Sequence, residues 1–181
     1  CRNSYRWSAP AKKQEHYKVA VIFTNRYDSN AGLIGHDCYI PVICRDDRGF
    51  RKFRGKKLRE VREEFDYETL KSLKPYDCSV AALGGYMLFA SSAIFNNFLS
   101  INVHPADLSL VDLRGNRLYT GDNAVFDALK SGVRELRSST HILDALPDHG
   151  PLLMVSAPVP VTENISVSQD LANEYQDELK R

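Results

Sequence analysis

The chain has 181 residues, enough for one domain with a sizeable core. Charged residues make up 26% of it and cancel to a net charge of +1, so no global field steers it toward nucleic acid or a membrane surface. No apolar run approaches the ~18 residues of a membrane-spanning helix, and the polar stretch from Cys1 to Tyr17 lacks the apolar core of a secretory signal. The four cysteines (Cys1, Cys38, Cys44, Cys78) have no C-x-x-C spacing, and no His/Cys/Glu cluster has metal-ligand spacing. The expectation is a cytoplasmic protein with reduced thiols and no metal.

Tyr17 to Thr24 is a nearly continuous apolar run of strand length, expected to be a parallel strand buried on both faces. Asp28, Ser29 and Asn30 are candidate caps for a short helix over Ala31 to His36, and Ile40 to Ile43 reads as a second strand. Strand, helix and strand in that order imply a crossover unit. Arg45 to Arg62 holds nine Arg or Lys in eighteen residues, with Phe50 and Phe53 interleaved. It reads either as a solvated face diluted by Asp46, Asp47 and Glu60 or as a phosphate or RNA surface. Val61, Phe65, Leu70 and Leu73 give helical spacing to Glu60 through Leu73, which Lys74-Pro75-Tyr76-Asp77 ends.

Cys78 to Leu83 is a strand of small and apolar residues, followed by a Gly84-Gly85 turn. Ser91 or Ser92 caps a helix expected from Ala93 to Leu99. Ser100-Ile101-Asn102-Val103-His104-Pro105 comes next. On an extended segment Asn102 and His104 point to the same side. An amide donor beside an imidazole can hold a carbonyl oxygen as it gains negative charge; the alternative is a strand end with two polar residues facing water. Arg114-Gly115-Asn116-Arg117 reads as the turn of a hairpin. Tyr119 to Asn123 opens a helix through Ala124, Val125, Ala128 and Leu129, closed at Ser131-Gly132. Strands are expected at Thr140 to Leu143 and Leu152 to Ala157, after which Pro158-Val159-Pro160-Val161 leaves the sheet. His141 fits a satisfied core or supporting histidine, and Asp148 by itself fits a turn residue before Gly150. Residues 162–181 are polar, with a helix from Ser168.

The ordered set of Asn102-Val103-His104-Pro105, Ser139-Thr140-His141, Asp148-His149-Gly150-Pro151 and Val159-Pro160-Val161 resembles the folate-dependent formyltransferases, most closely the phosphoribosylglycinamide formyltransferases. Leu83-Gly84-Gly85-Tyr86-Met87, Arg62-Glu63-Glu64-Phe65-Asp66 and Thr24-Asn25-Arg26 extend the likeness, which covers roughly Tyr17 to Val161. It implies an α/β fold: a mostly parallel, Rossmann-like sheet with helices on both faces, forming a single formyltransferase-like domain over 1–181. It also implies transfer of a formyl group from 10-formyltetrahydrofolate, as cosubstrate, to an amine substrate, phosphoribosylglycinamide-like or other, in purine biosynthesis. Asn102, His104 and Asp148 take the catalytic positions, with Asp148 raising the pKa of His104. The backbone of Leu88, Phe89 and Ala90, together with Leu143, Asp144 and Leu146, takes the folate positions, and Arg62 lies on the amine-substrate side. His149, where the pattern often has Gly, is expected to narrow the folate loop.

Two departures accompany the likeness. About eight residues are inserted around 107–117, near the mouth of the site. The family's first strand and Gly-rich phosphate loop have no counterpart before Tyr17, so a folate- or nucleotide-binding module of the same fold, without full activity, stands as the alternative.

Overall fold

The computed structural model of the protein describes residues 17–86, 88–162 and 166–179. The polar segment 1–16, with Cys1, and Met87 of the glycine turn lie outside the described residues. In chain order the elements are β1 (Ile22–Thr24), α1 (Ala31–Cys38), β2 (Val42–Cys44), α2 (Asp47–Arg54), α3 (Leu58–Leu73), β3 (Val80–Leu83), α4 (Ser92–Phe95), β4 (Leu99–His104), α5 (Ala124–Lys130), β5 (Glu135–Leu136), β6 (Ser139–Ile142), β7 (Leu152–Val155), β8 (Val159–Pro160) and α6 (Gln169–Glu178). Helices and strands alternate through the first half, as expected of an α/β chain.

β1 and β2 pair in parallel through the α1 crossover, and β3 pairs in parallel with β4 through α4. Beyond β4 the direction reverses. The four-stranded sheet runs β3-β4-β6-β7, with β6 antiparallel to both neighbours, so β4 is interior as expected. β5 and β8 make a separate antiparallel pair, which is where Val159 and Pro160 go on leaving the main sheet. Among the described residues no helix is long and apolar enough to cross a membrane.

Several boundaries differ from the sequence reading. The first strand holds only three residues, and Tyr17, Lys18 and Val19 are exposed rather than buried on both faces. Among the described residues β1 pairs with β2 alone, so no second ladder there extends and buries it. α4 stops at Phe95 rather than Leu99, because the ladder with β3 claims the chain from Leu99 onward. The basic stretch breaks into α2 and the start of α3. Asp46 caps α2 by accepting from the Gly49 amide at 3.3 Å, and the left-handed Gly55 ends it. Arg48 pairs with Asp46 and Asp28, Arg51 with Asp47, and Arg54 with Glu64. Much of the basic charge is therefore neutralised locally, which favours the solvated face over an RNA surface.

Phe65 of α3 is fully buried and joins the two halves of the N-terminal region. Its ring meets Phe50 of α2 edge-on at 5.3 Å and Phe23 of β1 at 6.5 Å between centroids. A second core lies where α5 packs on α6: Val125, Ala128 and Leu129 meet Leu136, Ala172 and Tyr175. Ser168 caps α6 by accepting from the Leu171 amide. The main sheet has unlike faces. One carries Ser100, Asn102, His104, Ser139 and His141; the other carries Val80, Leu99, Val103 and Met154, each about half exposed.

Replacing Phe65 with Ala removes the ring shared by α2, α3 and β1. Stability should fall by about 3–5 kcal/mol, read from the denaturant midpoint, whereas Phe65→Leu should cost much less. Equal and small losses in both variants would show that this aromatic cluster does not hold the region together.

Candidate active site

The strand register builds the site. Asn102 stands opposite Leu83 of β3 on one side and His141 of β6 on the other, and His104 stands opposite Ser139. Because side chains alternate along a strand, Asn102, His104 and His141 emerge on one face. His104 and His141 are buried, so they do not face open water as a polar strand end would.

The loop from β6 to β7 brings the acid. It leaves β6 beside Ser100, whose carbonyl accepts from the Leu143 amide at 2.8 Å, and then folds back over the polar face. Asp148 has φ = 58°, a left-handed conformation uncommon for a residue with a side chain. Gly150 is required where it is, because a Cβ there would lie 1.8 Å from the Ile142 carbonyl oxygen. The result places Asp148 Oδ1 3.4 Å from His104 Nδ1 and 3.6 Å from His141 Nε2. The three expected catalytic residues therefore line one cavity.

Backbone groups that the sequence reading missed complete the arrangement. His104 Nε2 donates to the Tyr119 carbonyl at 2.8 Å. A carbonyl only accepts, so Nε2 carries a hydrogen and Nδ1, facing Asp148, is the nitrogen free to gain or lose one. Gly121 N–H donates to Asp148 Oδ2 at 2.8 Å. His141 Nδ1 lies 3.0 Å from the Ile142 carbonyl, leaving Nε2 toward Asn102 Nδ2 at 3.4 Å and toward Asp148. Neutral, that nitrogen accepts from the Asn102 amide; protonated, it donates to Asp148. The Tyr119-Thr120-Gly121 triplet read as a helix opener; only its place just before α5 hinted at a backbone role.

Burial pushes the His104 imidazole below its ordinary 6.5, and the neighbouring Asp148 carboxylate and Tyr119 carbonyl push back without fully offsetting it. The expectation that the carboxylate raises His104 is correct for that pair, but desolvation is larger and the net direction is downward. For Asp148, burial pushes upward, yet the contacts with His141, the Gly121 amide and His104 outweigh it and hold the carboxyl at about 2. Asp148 is thus ionised across the physiological range.

The cavity has a volume of about 510 Å³, within the usual range for small-molecule sites. Leu88, Phe89 and Ala90 line one wall, and Leu143, Asp144 and Leu146 the opposite one. Residues 84–86, 88–91 and 143–151 belong to no helix or strand, which leaves backbone groups to face a ligand. Phe89 and Leu146 are mostly exposed although they are large and apolar, as expected of lips that a ligand covers. Arg62 lies elsewhere. It is absent from the cavity wall and donates to both Asp66 oxygens and, at 2.9 Å, to the Tyr86 hydroxyl. Tyr86 does line the cavity, and buried Asp66 also accepts from the Ser91 amide at 2.7 Å. Arg62 and Asp66 therefore tie the 86–91 wall to α3. His149 does not narrow the cavity: it is exposed, and its Nδ1 turns onto the Pro147 carbonyl. Gln176 and Leu179 at the end of α6, with Ser138 and Asp122, also line it.

Residues 7–180 match the family model described as formyl transferase. Solved structures with similar folds include glycinamide ribonucleotide transformylase 1 from Symbiobacterium toebii, with 24% identity, 90% of this chain and 69% of that chain covered, and a TM-score of 0.69. The same enzyme type from Geobacillus kaustophilus gives 21% identity, 90% and 78% coverage and a TM-score of 0.68. Phosphoribosylglycinamide formyltransferase from Campylobacter jejuni gives 20%, 91% and 75%, and 0.68. At these identities the structures establish the fold. No curated protein matches the chain.

Removing the Asp148 charge should lower the His104 titration midpoint further, because the carboxylate is what favours the imidazolium there. Long-range ¹H–¹⁵N NMR of Asp148→Asn against the parent protein checks this. An unchanged or raised midpoint would show that the two side chains are not electrostatically coupled.

Proposed function

The chain belongs to the formyl transferase family; we propose that it is an enzyme of formyl transfer to an amine, that its donor is 10-formyltetrahydrofolate and that Asn102, His104 and Asp148 carry the transfer. The observation that supports this reading is the convergence of those three side chains on one cavity with apolar lips. The donor, when bound, supplies the one-carbon group. Its flat heterocycle would lie between the backbone of Leu88, Phe89 and Ala90 and the loop holding Leu143, Asp144 and Leu146. Phe89 and Leu146 would lose exposed apolar surface on closure.

Each residue has a task set by its surroundings. The Asn102 amide donates to the oxygen that takes up negative charge as the amine attacks. His104 rests neutral at pH 7, since burial holds it below 6.5. Its Nδ1 is 3.4 Å from Asp148, longer than a good hydrogen bond, so the proton it gains can be shared with that oxygen. The proton that the amine releases passes to His104 Nδ1, directly or through water, Asp148 stabilises the resulting imidazolium, and the imidazolium gives that proton to the donor nitrogen as its bond to the formyl carbon breaks. The acceptor is an amine of the phosphoribosylglycinamide type, the class in the names of the structural neighbours. Arg62 acts on this site through Tyr86 rather than by touching the amine.

Asn102→Ala should lower kcat by roughly 100- to 1000-fold, the usual loss when one donor to a developing oxyanion is removed, and His104→Ala by roughly 100- to 10000-fold, the usual contribution of a proton-transferring side chain. Calorimetry with a 10-formyl folate analogue should still show saturable binding to both variants. Undiminished turnover in either variant would remove that residue from the mechanism. Saturable binding by the parent protein without turnover of any tested amine would instead mark a folate-binding module.

A further inference from the structure

The inserted segment makes contacts that the formyl-transfer reading does not require of it. Arg117 lies on a short hairpin: Val111 pairs with Arg117, the Leu118 amide donates to the Leu110 carbonyl at 3.1 Å, and the Asp112 amide donates to the Asn116 carbonyl at 2.8 Å. Asp112 Oδ1 closes the turn by accepting from the amides of Arg114 and Asn116, each at 2.8 Å. From this base the Arg117 guanidinium reaches into the β6–β7 loop. Nη1 donates to the Asp148 carbonyl, and Nη2 donates to the Gly150 carbonyl at 2.9 Å.

We propose that Arg117 is a positioning residue: its two-pronged bridge across the 148–150 turn holds the Asp148 carboxylate facing His104. The proposal rests on the reading of Asp148 as the partner of His104. Three features of the turn call for such a clamp. Asp148 sits at φ = 58°, a left-handed conformation that a residue with a Cβ adopts only when its surroundings hold it there. Gly150 is pressed against the Ile142 carbonyl, so a small shift of the turn has nowhere to go except away from β6. Asp148 Oδ1 lies 3.4 Å and 3.6 Å from its two imidazole partners, at the outer limit where a modest movement would uncouple them. A planar guanidinium spans two carbonyls at fixed spacing, which a lysine ammonium cannot do. The residues that follow the hairpin supply the Gly121 amide to Asp148 and the Tyr119 carbonyl to His104. The hairpin and the stretch it leads into thus buttress the catalytic pair.

The titration of His104 separates positioning from simple charge, because the two act in opposite directions. The positive charge of Arg117 disfavours the imidazolium, so its bare removal would raise the His104 midpoint. Loss of the clamp lets Asp148 drift away, which lowers it. Long-range ¹H–¹⁵N NMR on the full chain should show the Arg117→Ala midpoint moving down, toward that of Asp148→Asn. Arg117→Lys keeps the charge and loses the fork, so it should move down as well. A rise in Arg117→Ala with no change in Arg117→Lys, or no change in either, overturns the proposal. If Arg117→Ala does not fold, as judged by its amide spectrum, Arg117→Lys decides the matter alone. If Asp148→Asn itself leaves His104 unmoved, the underlying pairing fails rather than the clamp. In turnover, Arg117→Lys should lower kcat by on the order of 10- to 100-fold, as for a small misplacement of a reacting group, with the donor KM little changed. Inactive parent protein would count against the proposed donor and acceptor and leave the NMR comparison standing.

Discussion

The register between β4 and β6 is the constraint on which the site depends. With Asn102 opposite His141 and His104 opposite Ser139, these four side chains and Ser100 fall on one face. A slip of one residue would send Val103 and Thr140 into the cavity and turn Asn102 and His104 to the opposite face. Antiparallel pairing adds a second consequence. β6 ends beside the start of β4, so its exit loop must double back to bring Asp148 to His104, and it does so through a left-handed aspartate and a glycine pressed onto the strand. The backbone strain sits next to the groups whose geometry matters most, a common association at functional sites.

The electrostatics follow from burial. Two buried imidazoles and one largely buried carboxylate stand together, and desolvation pushes His104 and Asp148 in the direction of neutrality. Asp148 escapes because it gathers the Gly121 amide and two rings; His104 does not, because one carboxylate at 3.4 Å is too weak a counterweight. The outcome is an ionised acid beside a neutral ring with one open nitrogen, a pair poised to take up a proton when negative charge develops nearby. The Tyr119 carbonyl fixes which nitrogen that is.

The parts of this arrangement legible in the sequence were those carried by side-chain periodicity and by residue order. The two-residue spacing of Asn102 and His104 gave their shared face, and helical spacing located α3 and α5 closely. Asp148 emerged from the ordered likeness to formyltransferases; as a lone Asp before a His-Gly it reads only as a turn. Backbone donors and acceptors, such as the Tyr119 carbonyl and the Gly121 amide, leave no trace in residue type. Arg62 was placed on the substrate side, but the fully buried Asp66 four residues on binds it through both oxygens. The short β1 and the early end of α4 reflect which neighbours a strand finds, a tertiary fact that local propensity does not contain.

The central claim is that Asn102 and His104 together face the oxygen of a formyl group held between the 88–90 and 143–146 walls. A crystal structure with a stable 10-formyl folate analogue measures this directly. The account predicts the formyl oxygen within hydrogen-bonding distance, roughly 2.7–3.2 Å, of Asn102 Nδ2, with His104 Nδ1 turned toward the reacting centre and Asp148 still against the imidazole. An analogue bound in the cavity with its formyl oxygen directed away from both residues would contradict it.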